Sequence, residues 1–220
     1  MKNTLLFVIL LAFILIFGIW FLFLRGDEAV VIISPPLATS TAPAIPLATN
    51  NYTDSTLGFS ITLPTVLAST SNDSQYSVDK NYRYEAIGPR TTISGVKFSI
   101  PKATASGTNL SVDTYISVEH LAVNMPCTAE LFLENPKISS STIIEGTRTY
   151  SFASTSGAAA GNRYEESVYA IASSSPCLAV RYFIHSGAYE NYPEGSITQF
   201  DKAALLAQFD QVRRTLTIRK

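Results

Sequence analysis

Residues 5–24 form an unbroken run of 20 apolar residues, with Gly18 the only weak member. As a helix rising 1.5 Å per residue, such a run is about 30 Å long, the depth of a bilayer's hydrocarbon core. Lys2 precedes it, and Arg25, Asp27 and Glu28 follow it. The run exceeds the roughly 7–15 apolar residues of a cleaved signal peptide. The nearest small-residue site, at Ser40, Thr41 and Ala42, lies far downstream. No Cys follows the run to carry a lipid, and the acidic pair after it disfavours a pilin-type start. The reading is an uncleaved transmembrane anchor over residues 1–25, crossing the membrane through residues 5–24. A long signal peptide that is cut is the alternative.

Lys and Arg are balanced across the run, so charge alone does not set its orientation. The chain has two cysteines, Cys127 and Cys177, both in the C-terminal part. An even pair in such a region reads as a disulfide formed in an oxidising compartment. This places the N-terminus inside and the C-terminal domain outside the cytoplasmic membrane. The alternative is two unrelated buried thiols. Residues 26–51 read as a linker. Four prolines among Ser, Thr and Ala at 34–51 favour an extended tether, which at about 3 Å per residue reaches some 50 Å.

Residues 52–220 are long enough for one domain. Only 15% of the chain is charged, against about 25% in ordinary soluble domains, which suits an exported, strand-rich protein. The net charge of −1 gives no field to attract DNA or RNA, so no nucleic-acid partner is expected. Leu57, Phe59, Ile61 and Leu63 alternate with Gly58, Ser60 and Thr62, and similar alternation marks strands at 82–86, 96–100, 114–121, 147–153, 163–172 and 177–185. Residues 173–176 form a turn that joins the last two into a hairpin, with Leu178, Val180, Tyr182 and Ile184 facing the core. Arg181 is then expected to meet Glu165 across the hairpin. Leu205, Phe209, Val212 and Leu216 follow a helical stripe, with capping boxes at Ser196/Gln199 or Thr198/Asp201. Residues 215–219 can add an edge strand, and a short helix fits 128–133. The expected fold is α+β: an antiparallel sheet of about seven strands with a long C-terminal helix packed on it, preceded by one transmembrane helix.

The opening YTDSTLGFSITLP at 52–64 resembles the entry strand of PsbP-like domains, and the ending FDQVRRTLTI at 209–218 is similar to that family's helix-then-strand closure. The segments GNRYEESVYAI and CLAVRYFIHS resemble those of a group of exported, membrane-anchored bacterial proteins. The resemblance implies the α+β fold and a non-enzymatic habit. It supplies no catalytic motif.

The residues themselves carry no catalytic set. Cys177 and His185 share a strand face but lie about 26 Å apart along it, and a disulfide would consume both thiols. There is no nucleophile elbow, no metal-binding His or Cys spacing and no phosphate loop. His120, beside Ile116 and Val118, reads as a packed histidine, and Gly157 and Gly161 as members of a hairpin loop. No cofactor or metal is expected. Glu165 and Glu166 are adjacent and point to opposite faces of a strand. Glu166 shares a face with apolar residues, so either that face is not core or Glu166 joins a buried ion pair. Glu190 and Glu194 bracket a tyrosine-rich loop and are the candidates for a carboxylate pair.

Exposed Tyr beside Asn suits recognition, which makes His185, Tyr189, Asn191, Tyr192, Arg163 and Arg181 the candidate ligand or partner surface. The expected function is a membrane-anchored extracytoplasmic binding or scaffolding domain whose partner is an envelope protein or the cell wall. The alternatives are an envelope hydrolase acting on wall glycan or peptide, and a structural subunit of a surface assembly.

Overall fold

A computed structural model describes residues 49–64, 72–86, 91–122, 126–134 and 138–219. The expected anchor at 1–25 and most of the 26–51 linker lie outside the described residues. Among the described residues no helix is long and apolar enough to cross a membrane.

The main layer is a seven-stranded antiparallel sheet. Its strands are β3 (Ser77–Ala86), β4 (Thr91–Ser99), β5 (Tyr115–Leu121), β6 (Ser141–Glu145), β7 (Arg148–Ala159), β8 (Asn162–Ile171) and β9 (Cys177–Gly187). Their spatial order is β3-β4-β5-β9-β8-β7-β6. A smaller sheet pairs β1 (Thr49–Asp54), β2 (Phe59–Pro64) and β10 (Thr217–Ile218), with β2 in the centre. A short helix, α1, spans Lys102–Ala105, and the long helix α2 spans Lys202–Arg214. β1 takes up Thr49, Asn50 and Asn51, the last residues of the expected linker.

The apolar alternation places one face of the large sheet against α2. Val96 and Phe98 of β4, Ile116 and Val118 of β5, and Val180 and Tyr182 of β9 pack there against Leu205, Phe209 and Val212. Phe59, Ile61 and Leu63 of β2 close the same core from the small sheet. α2 is capped by Asp201, whose carboxylate accepts the Ala204 N–H at 2.9 Å, so the expected capping boxes are replaced by a single Asp cap. Arg213, 1% exposed, anchors the far end of the helix. It donates to Tyr182 Oη, to both Glu145 oxygens and to Asp210, and lies over the Tyr169 ring. That network ties α2 to β9 and to the edge strand β6.

The opposite face is also partly covered. The segment 126–134, with a 3-10 turn at Ala129–Phe132, lays Ala129, Phe132 and Leu133 over Ala153, Val168, Ala170 and Ala179. The expected short helix at 128–133 is thus a single tight turn. Cys127 and Cys177 are bridged, with Cα atoms 5.1 Å apart, and the bridge fastens this segment to the start of β9.

Two local expectations change. Gly157 is not in a loop, because β7 runs to Ala159 and pairs Gly157 with Tyr164. The reversal is made by Ala160 and Gly161, and Gly161 adopts φ +78°, where a side chain would be strained. Arg181 does not meet Glu165. The hairpin register sets Arg181 opposite Val168 and Glu165 opposite Ile184, so the two side chains lie on opposite faces.

Candidate functional site

The helix-facing side of β8 opens into a cleft between the start of α2 and the loop 188–200. Asn109, 5% exposed, locks that loop at both ends. Its side chain donates to the Gly187 carbonyl at 2.8 Å and accepts the Phe200 N–H at 2.9 Å. The loop is held again where the Ala188 N–H donates to Gly161 O at 2.8 Å and the Thr198 N–H to Gly107 O at 2.9 Å. Tyr192 lies against the Gly187 backbone so closely that a Cβ there would sit 2.2 Å from its hydroxyl. A loop tied at this many points is ordered before any ligand arrives, which lowers the entropy cost of binding.

Two adjoining cavities make up the cleft. One, about 260 Å³, lies between Asn109, Arg163, Tyr189, Glu190 and Phe200. The other, about 520 Å³, runs from Lys202 and Leu206 of α2 over Ser154, Ser156 and Ser167. Glu165 and Lys202 border both and form an ion pair. Arg163 and Glu190 pair at 3.2 Å across the outer end. The lining therefore combines hydroxyls and paired charges with apolar side chains, among them Ile184, Leu206 and Phe200. His185 lies on the other face of β9, so no imidazole stands beside these hydroxyls among the described residues.

The six surface candidates separate. Arg163 and Tyr189 line the cleft. Asn191, whose amide donates to Gly161 O at 3.4 Å, and Tyr192 hold the loop in place. His185 stacks on Tyr164 with ring centres 4.5 Å apart, its Nδ1 2.8 Å from Asp113 and its Nε2 3.1 Å from Asn162. Arg181 is not a surface residue at all. It is 2% exposed. Glu190 is spent on Arg163 and Glu194 is exposed, so these two do not converge in a closed site.

Arg181 instead centres a buried cluster on the face away from α2. Its Nε donates to Glu119 Oε1 at 2.8 Å and a terminal nitrogen donates to Oε2 at 3.1 Å. The remaining donors reach Glu166, the Tyr84 hydroxyl and the Phe132 carbonyl. Glu119 also accepts from the Ser117 hydroxyl at 2.7 Å and from Tyr84 at 3.0 Å. Glu166 thus pairs with the buried Arg181 while its own side chain stays 28% exposed at the rim of the second core. Two carboxyls share one guanidinium, so the cluster carries one surplus negative charge in a poorly solvated place. Burial, reinforced by the Glu134 charge, pushes Glu166 up to about 7. Burial pushes Glu119 up as well, with Glu166 adding to the effect and the Ser117 donor opposing it. The pair thus shares a proton to higher pH than an ordinary carboxylate.

Beyond the cluster, the same face bears a ladder of rings. Tyr115 stacks on Phe183 at 4.9 Å and Tyr164 on His185, each within 20° of parallel, and Tyr82 meets Tyr115 edge-on with hydroxyls 2.6 Å apart. The stacked ring faces are used on one another, so this surface presents edges and offers no flat platform for stacking a ligand.

Neither Glu119 nor Asn109 is singled out by the sequence. Glu119 has a weak signal: it lies in a strand with the apolar Ile116, Val118 and Leu121, where a carboxylate needs a partner, but Ser117 and His120 beside it blur the pattern. Asn109 has none, because its partners are backbone groups about 80 to 90 residues away in the chain. No family model, no curated protein and no solved structure matches this chain.

Proposed function

We propose that the chain is a membrane-anchored, extracytoplasmic, non-catalytic binding or scaffolding domain, held off the bilayer by its proline-rich tether. The anchor and outside orientation rest on residues 5–24 and on the Cys127–Cys177 pair, whose bridging suits an oxidising compartment. The observation that carries the binding reading is the cleft beside β8, walled by a loop fixed through Asn109 and lined by hydroxyls, satisfied ion pairs and apolar side chains. Such a lining supplies orientation and hydrogen bonds and contains no activated nucleophile. The PsbP-like fold belongs to the same proposal. It is supported by the pairing of the two resembling segments, Phe59 with Ile218 and Ser60 with Thr217.

A second reading, the envelope hydrolase, is favoured by one observation: Glu166 borders the larger cavity with its carboxyl raised to about 7, in the range of a general acid. Its clamp on Arg181, which it shares with the fully buried Glu119, weighs for a structural role.

The test replaces Tyr189 with the photo-crosslinking residue benzoylphenylalanine in the full-length protein in living cells. The same residue at Arg83 on β3, the far edge of the sheet, is the control. A discrete adduct with an envelope component is expected at position 189 and not at 83. Identical patterns at the two positions would remove the cleft from the proposal.

A further inference from the structure

β6 covers β7 only as far as the Ser141–Phe152 pair, while β7 continues to Ala159. Among the described residues no strand pairs with 153–159 on the side away from β8, so they form an open edge of the described sheet. Among the described residues no backbone hydrogen bond reaches it from outside the β7–β8 ladder. The opposite edge of the sheet, β3, is guarded as exposed edges usually are. It carries Asp79, Lys80, Arg83 and Glu85, and its ladder to β4 breaks between Asp79 and Tyr82. The open part of β7 reads ASTSGAA, without a charge, a proline or a register break.

A second observation points to an occupant. The cavity of about 520 Å³ is lined from both sides of this edge, by Ser154, Ser156 and Leu206 on the helix side and by Ile138, Thr155 and Glu166 on the other. A strand added here would send alternate side chains into both parts.

We propose that residues 153–159 of β7 accept an extended peptide from an envelope partner as an added strand, with apolar side chains toward α2 and basic ones toward Glu166. This rests on the binding reading above and names its partner. The apolar side chain enters beside Leu206 and Ile184. On the other side Glu166 and the nearby Glu134 supply negative charge against a single buried guanidinium. A second copy of the chain is the poorer occupant, because β7 pairing with itself would place only Ser, Thr, Gly and Ala against the cavity and leave it unfilled.

The test titrates the isotope-labelled full chain, in detergent micelles, with a capped nine-residue peptide that alternates Val and Lys. Two further peptides carry N-methyl groups on one or the other alternate set of amides. The amides of 153–159 should shift and exchange more slowly. One methylated peptide should bind about tenfold or more weakly, since it lacks the donors facing β7, and the other should bind like the parent. Equal binding by both methylated peptides overturns strand addition, and so does no binding at millimolar peptide. Equal binding by a Val/Glu peptide overturns the basic partner. Shifts confined to Lys202 and Glu165 also overturn strand addition yet leave the cleft standing. Edge shifts without a photo-adduct at Tyr189 leave the edge and remove the cleft.

Discussion

Replacing Cys127 and Cys177 together with alanine is expected to lower the unfolding free energy by about 4 kcal/mol. The bridge closes a loop across a sequence separation of 50, and the chain-entropy model assigns roughly that amount to such a loop. The loss has a place in the fold. The bridge holds the segment 126–134 on the sheet, and that segment covers Ala153, Val168, Ala170 and Ala179. Denaturant unfolding followed by circular dichroism measures the change, and hydrogen exchange should show protection falling first at 129–133. A change below about 1 kcal/mol would mean that packing alone secures the segment.

The second large effect lies at Arg181. Arg181→Met should cost about 3–5 kcal/mol at neutral pH, because it strands the fully buried Glu119 carboxylate without its partner. Glu166→Gln should cost far less, since it removes the surplus charge and leaves the Glu119–Arg181 pair intact. The pH dependence tests Glu166 within this coupled pair. Glu166 is raised from an ordinary value near 4.5 to about 7, so the folded state holds a proton that the unfolded state releases. The stability this gives is present below the unfolded value and is lost as pH rises through about 7, by on the order of 3 kcal/mol at most. Melting temperature should therefore fall between about pH 5 and 8 in the wild type, and the Glu166→Gln variant should lose much of that slope. Equal slopes in the two proteins would place the titrating group elsewhere.

These effects show which parts of the fold are legible in the sequence. The alternation at 57–63 and 177–185 and the stripe from Leu205 to Leu216 report which residues meet the helix-side core, and β2, β9 and α2 follow from them. The edge strand at 215–219 is also legible, and β10 pairs there with β2. β6 is not legible, since STIIE is short, sets two isoleucines side by side and leaves Ile144 72% exposed on an edge strand. Arg181 is misread for a physical reason. Alternation identifies one buried face, but β9 is a central strand whose second face is covered by a distant segment, so a charged residue there is enclosed too. The error about Glu165 comes from hairpin register, where one residue of slip exchanges the two faces. At the candidate site, Tyr189 and Arg163 are found because exposed aromatic and charged residues in a turn suit recognition. Asn109 and the free edge of β7 are not, because each depends on what chain segments remote in sequence do or leave undone.

The central claim is a bridged domain displayed outside the membrane on a tether. Thiol labelling of the full-length protein in intact cells, with a membrane-impermeant reagent and with or without an impermeant reductant, tests it most directly. The account predicts that Cys127 and Cys177 label only after reduction, with no label on the untreated cells. Labelling of both thiols without reductant would contradict the bridge. Thiols that stay unlabelled until the cells are lysed would contradict the outside placement.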